Sequence, residues 1–383
     1  MAALVIQGGT IYTPDRVLDG TVVVEDGVIT AVGEATARHG DRVVDAGGLL
    51  VAPGFLDLQV NGFAGHSFQD PDPEGCRRVS EALLRHGVTG FLPTIVTNTP
   101  EAMQRAVAAV GAGLQNSLAL GVHVEGPFIS VAKRGAHPQD QIRPYDPAEV
   151  QVWWQLSRGS LRMVTLAPEV AWNLPAIQAL REMGLVVAAG HSNATYEEAE
   201  QAVSAGTSCV THLFNGMSGL HHRAPGLAGA ALALPGLRAG LIADGHHVHA
   251  GALRAAYRAK GAGEIYLVTD AVAAAGLPPG TYDWPGGAVV SDGETVRTAR
   301  DGSLAGSLLT MDRAVANMVR LAGASLADAL TMATRTPADV LGLRDRGRIQ
   351  VGARGDLVLL DRDLRVVMTI VGGVIRYERK GGV

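Results

Sequence analysis

LVVAAGHSNATYEEAEQAVSAGTSCVTHLFNGM, residues 185–217, decides how this 383-residue chain is read. A short apolar run, 185–189, ends in Gly190-His191. The polar stretch Ser192-Asn193-Ala194-Thr195 then offers an N-cap for a helix over 196–205, and a second run, 208–212, ends in Thr211-His212. The same rhythm extends both ways. Apolar runs at 55–59, 90–96, 118–124 and 162–166 precede it, runs at 238–243 and 265–269 follow, and helical stretches fall at 74–86, 100–112 and 173–183. Eight strands alternating with helices predict a closed (β/α)8 TIM barrel. No G-x-G-x-x-G follows the first run and no Walker A sequence occurs, which argues against an open nucleotide-binding sheet.

The two ends have a different texture. Short β-rich runs at 3–6, 21–25 and 28–33 are matched by 355–360 and 365–376. Neither set is enough for a core of its own, since a lone hairpin is marginal. The expectation is one small β-sandwich domain built jointly from residues 1–52 and 342–383, beside a barrel of residues 53–341.

Composition narrows the function. Apolar residues make up 47%, enough for a sizeable core, and a net charge of −5 with 4% aromatics gives neither the basic footprint nor the stacking platform of a nucleic-acid binder. Two cysteines, Cys76 and Cys209, cannot build a secreted disulfide framework. Met1 to Gly9 lacks the texture of a signal peptide, and the most apolar region, Leu227 to Ala243, is broken by Pro235, Gly236 and Arg238. A soluble, cytoplasmic protein with no membrane or nucleic-acid partner is expected.

The chemistry shows in how the runs end, because catalytic groups of such barrels sit at the carboxyl ends of the strands. Run one ends in Gln59-Val60-Asn61, run three in His123-Val124-Glu125, runs five and six in His191 and His212, run seven in Asp244-Gly245-His246-His247, and run eight in Thr269-Asp270. A lone histidine at a strand end is usually structural. Two on consecutive strands, with Glu125 as a third candidate, form the two-imidazole, one-carboxylate set of a hydrolytic metal site. Zn2+ suits it best, and Fe2+, Co2+ or Mn2+ could take the same donors. Asp270 reads as a catalytic group. Asn215-Gly216 and Arg223 lie in a loop suited to a phosphate or carboxylate, and Gly302 to Ser307 is a second loop able to present backbone donors. His39, His66 and His86 read as surface or core residues, and Cys209 as inert packing.

Pro53-Gly54-Phe55-Leu56-Asp57 with β-rich flanks resembles the amidohydrolase superfamily. His123-Val124-Glu125-Gly126-Pro127-Phe128, Gly190-His191-Ser192-Asn193-Ala194-Thr195, Thr211 to Met217, Arg223 to Ala230, Ala243 to Val248, Val268 to Ala271 and Gly302 to Ser307 resemble its amino-sugar-phosphate deacetylase branch, from Gly8 to about Tyr377. The resemblance implies hydrolysis of N-acetyl-D-glucosamine 6-phosphate to glucosamine 6-phosphate and acetate, in amino-sugar catabolism or cell-wall recycling. It implies one divalent metal on Glu125, His191 and His212, catalytic Asp270, and a carbonyl-polarising role for His137. Ala136, His137, Asn215, Gly216, Arg223, Asp244, His246, His247, Leu304 and Ala305 fall where that branch contacts substrate. It further implies a homodimer in which Arg223 reaches the neighbouring site. Gln59 and Asn61 stand where the superfamily often has His-x-His for a second metal, so that second position is weakened here. Another amidohydrolase acting on a cyclic amide or N-acyl substrate would share barrel and metal but normally needs that His-x-His. A non-catalytic barrel scaffold would normally have lost a ligand or the catalytic aspartate.

Overall fold

The computed structural model describes residues 2–380. Eight parallel strands follow the eight apolar runs: β1 (Phe55–Val60), β2 (Val88–Val96), β3 (Val122–Glu125), β4 (Leu161–Leu166), β5 (Val186–Ala189), β6 (Cys209–Val210), β7 (Arg238–Leu241) and β8 (Ile265–Leu267). They are hydrogen-bonded in chain order. The ring closes where Asp270 N–H donates to the Gln59 carbonyl at 2.9 Å and Val60 bridges Ala271. Strands covered by helices on one face and by the barrel interior on the other are apolar throughout, and all nine residues of β2 are buried. The third strand starts four residues later than its run, because Leu118–Leu120 lies along β2 through a Phe91–Ala119 bridge before Gly121 turns the chain.

The closing seam carries a buried carboxyl group. Asp57, fully buried on β1, accepts from the backbone N–H groups of Gln59 (3.3 Å) and Thr269 (3.2 Å) and from the Thr269 hydroxyl (2.5 Å). Burial pushes its carboxyl up to about 7, against the pull of the Thr269 bonds. Inside the barrel, His123 donates through Nδ1 to the Leu58 carbonyl (3.1 Å) and its Nε2 meets the Thr165 hydroxyl (2.8 Å). That polar layer lies two residues before Glu125 on the same strand.

The helices Gly75–Leu83, Pro100–Gly113, Asn173–Glu182 and Tyr196–Ala205 occupy the four stretches read as helical. Thr195 caps the last one in a reciprocal box with Glu198, which satisfies two otherwise orphaned N–H groups. No helix among the described residues is long and apolar enough to cross a membrane.

Both ends of the chain enter one eight-stranded sheet. Leu50–Pro53 pairs antiparallel with Leu357–Leu360, joining the N-terminal strands to the C-terminal ones. Ile6, Ile11, Val22, Ile29, Val51, Leu357, Leu359 and Ile370 share its core. The turns of its two outer hairpins meet: Gly27 lies against Gly372, and the Gly27 carbonyl accepts from Gly355 N–H at 2.8 Å. Residue 1 and residues 381–383, the outer limits read for this domain, lie outside the described residues.

One element beside the site without a counterpart in the sequence reading is an inserted sheet. Between β8 and the helix Met311–Asn317 an antiparallel sheet, Gly280–Trp284, Gly287–Ser291 and Val296–Thr298, packs Val289 and Val296 on Val272, Ala274 and Ala305. Its strands are three to five residues long in a Gly- and Pro-rich stretch, too short for a clear alternation.

Candidate active site

The strand ends converge on a cavity of about 180 Å3 at the mouth of the barrel. Glu125 is the last residue of β3. His191, His212 and Asp270 follow β5, β6 and β8 on left-handed backbone, with φ of 45°, 30° and 52°. A non-glycine residue there costs roughly 1–3 kcal/mol and persists only where its surroundings hold it. Here the holding bonds are identifiable. His191 Nδ1–H donates to the Lys133 carbonyl at 2.9 Å, and His212 Nδ1–H to the Asn215 carbonyl at 3.1 Å. Gly216 must be glycine: its φ is +56°, and a Cβ there would stand 2.9 Å from His191 Nδ1.

With both Nδ1 atoms donating, the two Nε2 lone pairs face inward. They lie 3.1 Å apart, and Glu125 Oε1 is 3.1 Å from His212 Nε2 and 3.3 Å from His191 Nε2. Burial opposes ionisation of Glu125, yet the adjoining His191 and His212 rings draw its carboxyl well below the usual range. Two nitrogen lone pairs and a carboxylate oxygen packed this closely repel one another unless a cation or a proton lies between them. The donor set fits a metal ion.

Asp270 lies across the cavity. Burial and the Glu125 charge raise its carboxyl to about 6, against the pull of His212, His247 and Asn61. Asn61 Nδ2 donates to its Oδ1 at 2.6 Å, leaving the other oxygen free. Gln59 Nε2 donates to Glu125 Oε1 at 3.0 Å. The amide nitrogens of Gln59 and Asn61 thus brace the two carboxylates, while Asn61 Oδ1 is buried without a partner. Among the described residues the single metal-capable cluster is Glu125, His191 and His212. His137 is buried with Nδ1 2.7 Å from the Thr97 hydroxyl and Nε2 4.0 Å from Glu125 Oε2. Burial and the neighbouring His191 push its imidazole down to about 3, so it is neutral.

Of the residues read as substrate contacts, Ala136, His137, Asn215, Gly216, His247 and Leu304 line the cavity. Asp244 lies behind His247, accepting from its Nδ1–H at 2.6 Å and from two backbone N–H groups at 2.8 Å. His246 is exposed and does not line the cavity, and Ala305 is buried in the core of the inserted sheet. Arg223 is exposed outside the cavity, its Nη1 2.8 Å from His222 Nε2. Four lining residues were not singled out from sequence: Val96, Gly135, Ile242 and Trp284. Val96 and Ile242 are ordinary apolar residues at strand ends. Trp284 comes from the inserted sheet and donates to the Ala136 carbonyl at 3.4 Å. Thr97 was also missed, although the rule that finds strand-end groups points to it.

Fold and site together define a barrel hydrolase with one metal-capable centre. The sequence profile of the Amidohydrolase family matches residues 50–376. An N-acetylglucosamine-6-phosphate deacetylase of Lysinibacillus sphaericus is 37% identical, the match covering 93% of each chain. An N-acetylgalactosamine-6-phosphate deacetylase of a Shewanella strain is 38% identical over 98% of this chain and 96% of its own. The crystal structure of an N-acetylglucosamine-6-phosphate deacetylase from Pasteurella multocida superposes with a TM-score of 0.93 at 33% identity, covering 98% of this chain and 100% of that one. The chain belongs to the amidohydrolase family and, within it, to the N-acetylglucosamine-6-phosphate deacetylases.

Proposed function

We propose that this chain hydrolyses the N-acetyl group of N-acetyl-D-glucosamine 6-phosphate, releasing acetate and glucosamine 6-phosphate. The observation that carries the reading is a buried Glu125–His191–His212 cluster with Asp270 facing it across one cavity, in a chain akin to deacetylases along its length. The three ligands would hold one divalent cation, zinc by preference, with iron(II), cobalt(II) or manganese(II) fitting the same donors. When bound, such an ion polarises an amide carbonyl and lowers the pKa of water. Asp270 takes the proton of the attacking water on the oxygen that Asn61 leaves free, then delivers it to the departing nitrogen. A carboxyl raised to about 6 suits both halves of that exchange near neutrality. Neutral His137 donates from Nε2 to the carbonyl oxygen as charge develops there.

His247, steadied by Asp244, and the Asn215-Gly216 backbone hold the sugar phosphate. Arg223, exposed and not among the residues lining its own cavity, acts on the phosphate bound by a second copy in a homodimer. The test is free amine released by zinc-loaded protein from N-acetylglucosamine 6-phosphate, with the unphosphorylated sugar and the galacto epimer alongside. Release from the gluco phosphate alone is expected. Faster release from the epimer would move the substrate to N-acetylgalactosamine 6-phosphate, the sugar named for the Shewanella relative. Equal release with and without phosphate would remove Arg223 from its role.

A further inference from the structure

Six strand ends deliver polar groups that the sequence makes conspicuous; β2 delivers one that it does not. Thr97, the residue after β2, is fully buried, and its hydroxyl lies 2.7 Å from His137 Nδ1. The other acceptor within reach, the Glu125 carbonyl, is 3.4 Å away, beyond the usual O–H···O range. The place of the hydroxyl is built from a second side. Gly126 has φ +78°, and a Cβ there would stand 2.2 Å from Thr97 Oγ1, so only glycine after Glu125 leaves the hydroxyl its room.

A neutral imidazole has one N–H, and the partner of one nitrogen decides which nitrogen carries it. Were the proton on Nδ1, the Thr97 hydroxyl would have to turn to the distant Glu125 carbonyl, and the Nε2 lone pair would face the Glu125 carboxylate at 4.0 Å. With the hydroxyl donating to Nδ1, the bond is short and Nε2–H faces a negative charge. Both distances favour the second arrangement. The ring is also held edge-on to His191, with centroids 4.3 Å apart.

We propose that Thr97 is a positioning residue: its hydroxyl donates to His137 Nδ1 and so keeps the single imidazole proton on Nε2, aimed at the carbonyl oxygen of the scissile amide. The inference rests on the reading of His137 as the carbonyl donor, and its test separates the two. Histidine-selective 15N NMR of the zinc-loaded and metal-free protein reports the tautomer, with the His137 signals identified by their loss in His137→Asn. Native protein should show His137 protonated on Nε2 and bare on Nδ1. Thr97→Val, similar in shape but without a proton to donate, should lose that preference. It should also lower kcat by roughly tenfold or more at unchanged KM and unchanged bound metal, and Thr97→Ser should restore both tautomer and rate. A native Nδ1–H tautomer, or an Nε2–H tautomer that survives in Thr97→Val, overturns the inference. A tautomer switch with no loss of kcat upholds the hold of Thr97 on the ring and overturns the donor role of His137. If Thr97→Val does not fold, the native tautomer and the Thr97→Ser variant decide.

Discussion

His191, His212 and Asp270 sit on backbone that ordinarily rejects a side chain, and each is held there by a named bond: the Lys133 carbonyl, the Asn215 carbonyl and the Asn61 amide. Their chemistry is separable by substitution. Asp270→Asn should keep its metal and lose about 10²–10⁴-fold in kcat, since a positioned acid–base group contributes that much. Near-normal turnover with metal bound would show that another group moves the proton. His212→Ala removes one of the three proposed ligands and one of the two imidazoles beside Glu125. Zinc should then be lost on dialysis that leaves the native protein loaded, as read by elemental analysis of metal per subunit. Retention at one ion per subunit would take His212 out of the ligand set.

At the level of elements, the barrel closes through Asp57, whose carboxylate collects two donors from Thr269 on the last strand's extension and one from Gln59 on the first. Its carboxyl is raised in the folded state to about 7, so the folded protein holds the proton more tightly than the unfolded chain. The stabilisation this brings is full below the unfolded value near 4 and is lost as pH rises through about 7. Asp57→Asn carries no such titration. Its stability deficit against the native protein should therefore be larger at pH 5 than at pH 8, as measured by urea unfolding at both values. A pH-independent deficit would mean that Asp57 titrates normally. The deficit itself should be roughly 1–3 kcal/mol at low pH, from an amide NH2 set where one carboxyl oxygen meets the Thr269 hydroxyl or the backbone N–H groups.

For the whole molecule, the exposed Arg223 is the residue whose meaning depends on assembly. Arg223→Ala should raise KM for the phosphorylated sugar by roughly tenfold to a hundredfold, as for loss of a hydrogen bond to a charged group, and leave the unphosphorylated sugar unaffected. Mixing Arg223→Ala with Asp270→Asn subunits discriminates further. If the arginine serves the neighbouring copy, mixed dimers contain one site with both an intact base and an intact arginine, and activity at low substrate returns. If it serves its own site, no mixed dimer has a complete set and activity stays low.

The barrel was legible because strand runs and helical stretches are local: β5, the Thr195-capped helix and β6 can be read from 185–217 alone, and the parallel sheet only orders such units in sequence. Glu125, His191, His212 and Asp270 were legible because the same end of each strand must share one mouth. Tertiary structure decided what depends on contacts between distant residues. Gln59 and Asn61 stand in sequence where the superfamily often has metal ligands, and only the fold shows that their amide nitrogens donate to carboxylates 66 and 209 residues away. His246 and His247 are neighbours in the chain, yet only His247 reaches the cavity, because Asp244 ties its ring. Trp284 has no local signature, and Thr97 has only its place at the end of the second run. A threonine gains a role when a histidine forty residues later folds over it, and a tryptophan when an inserted sheet folds back over the barrel mouth.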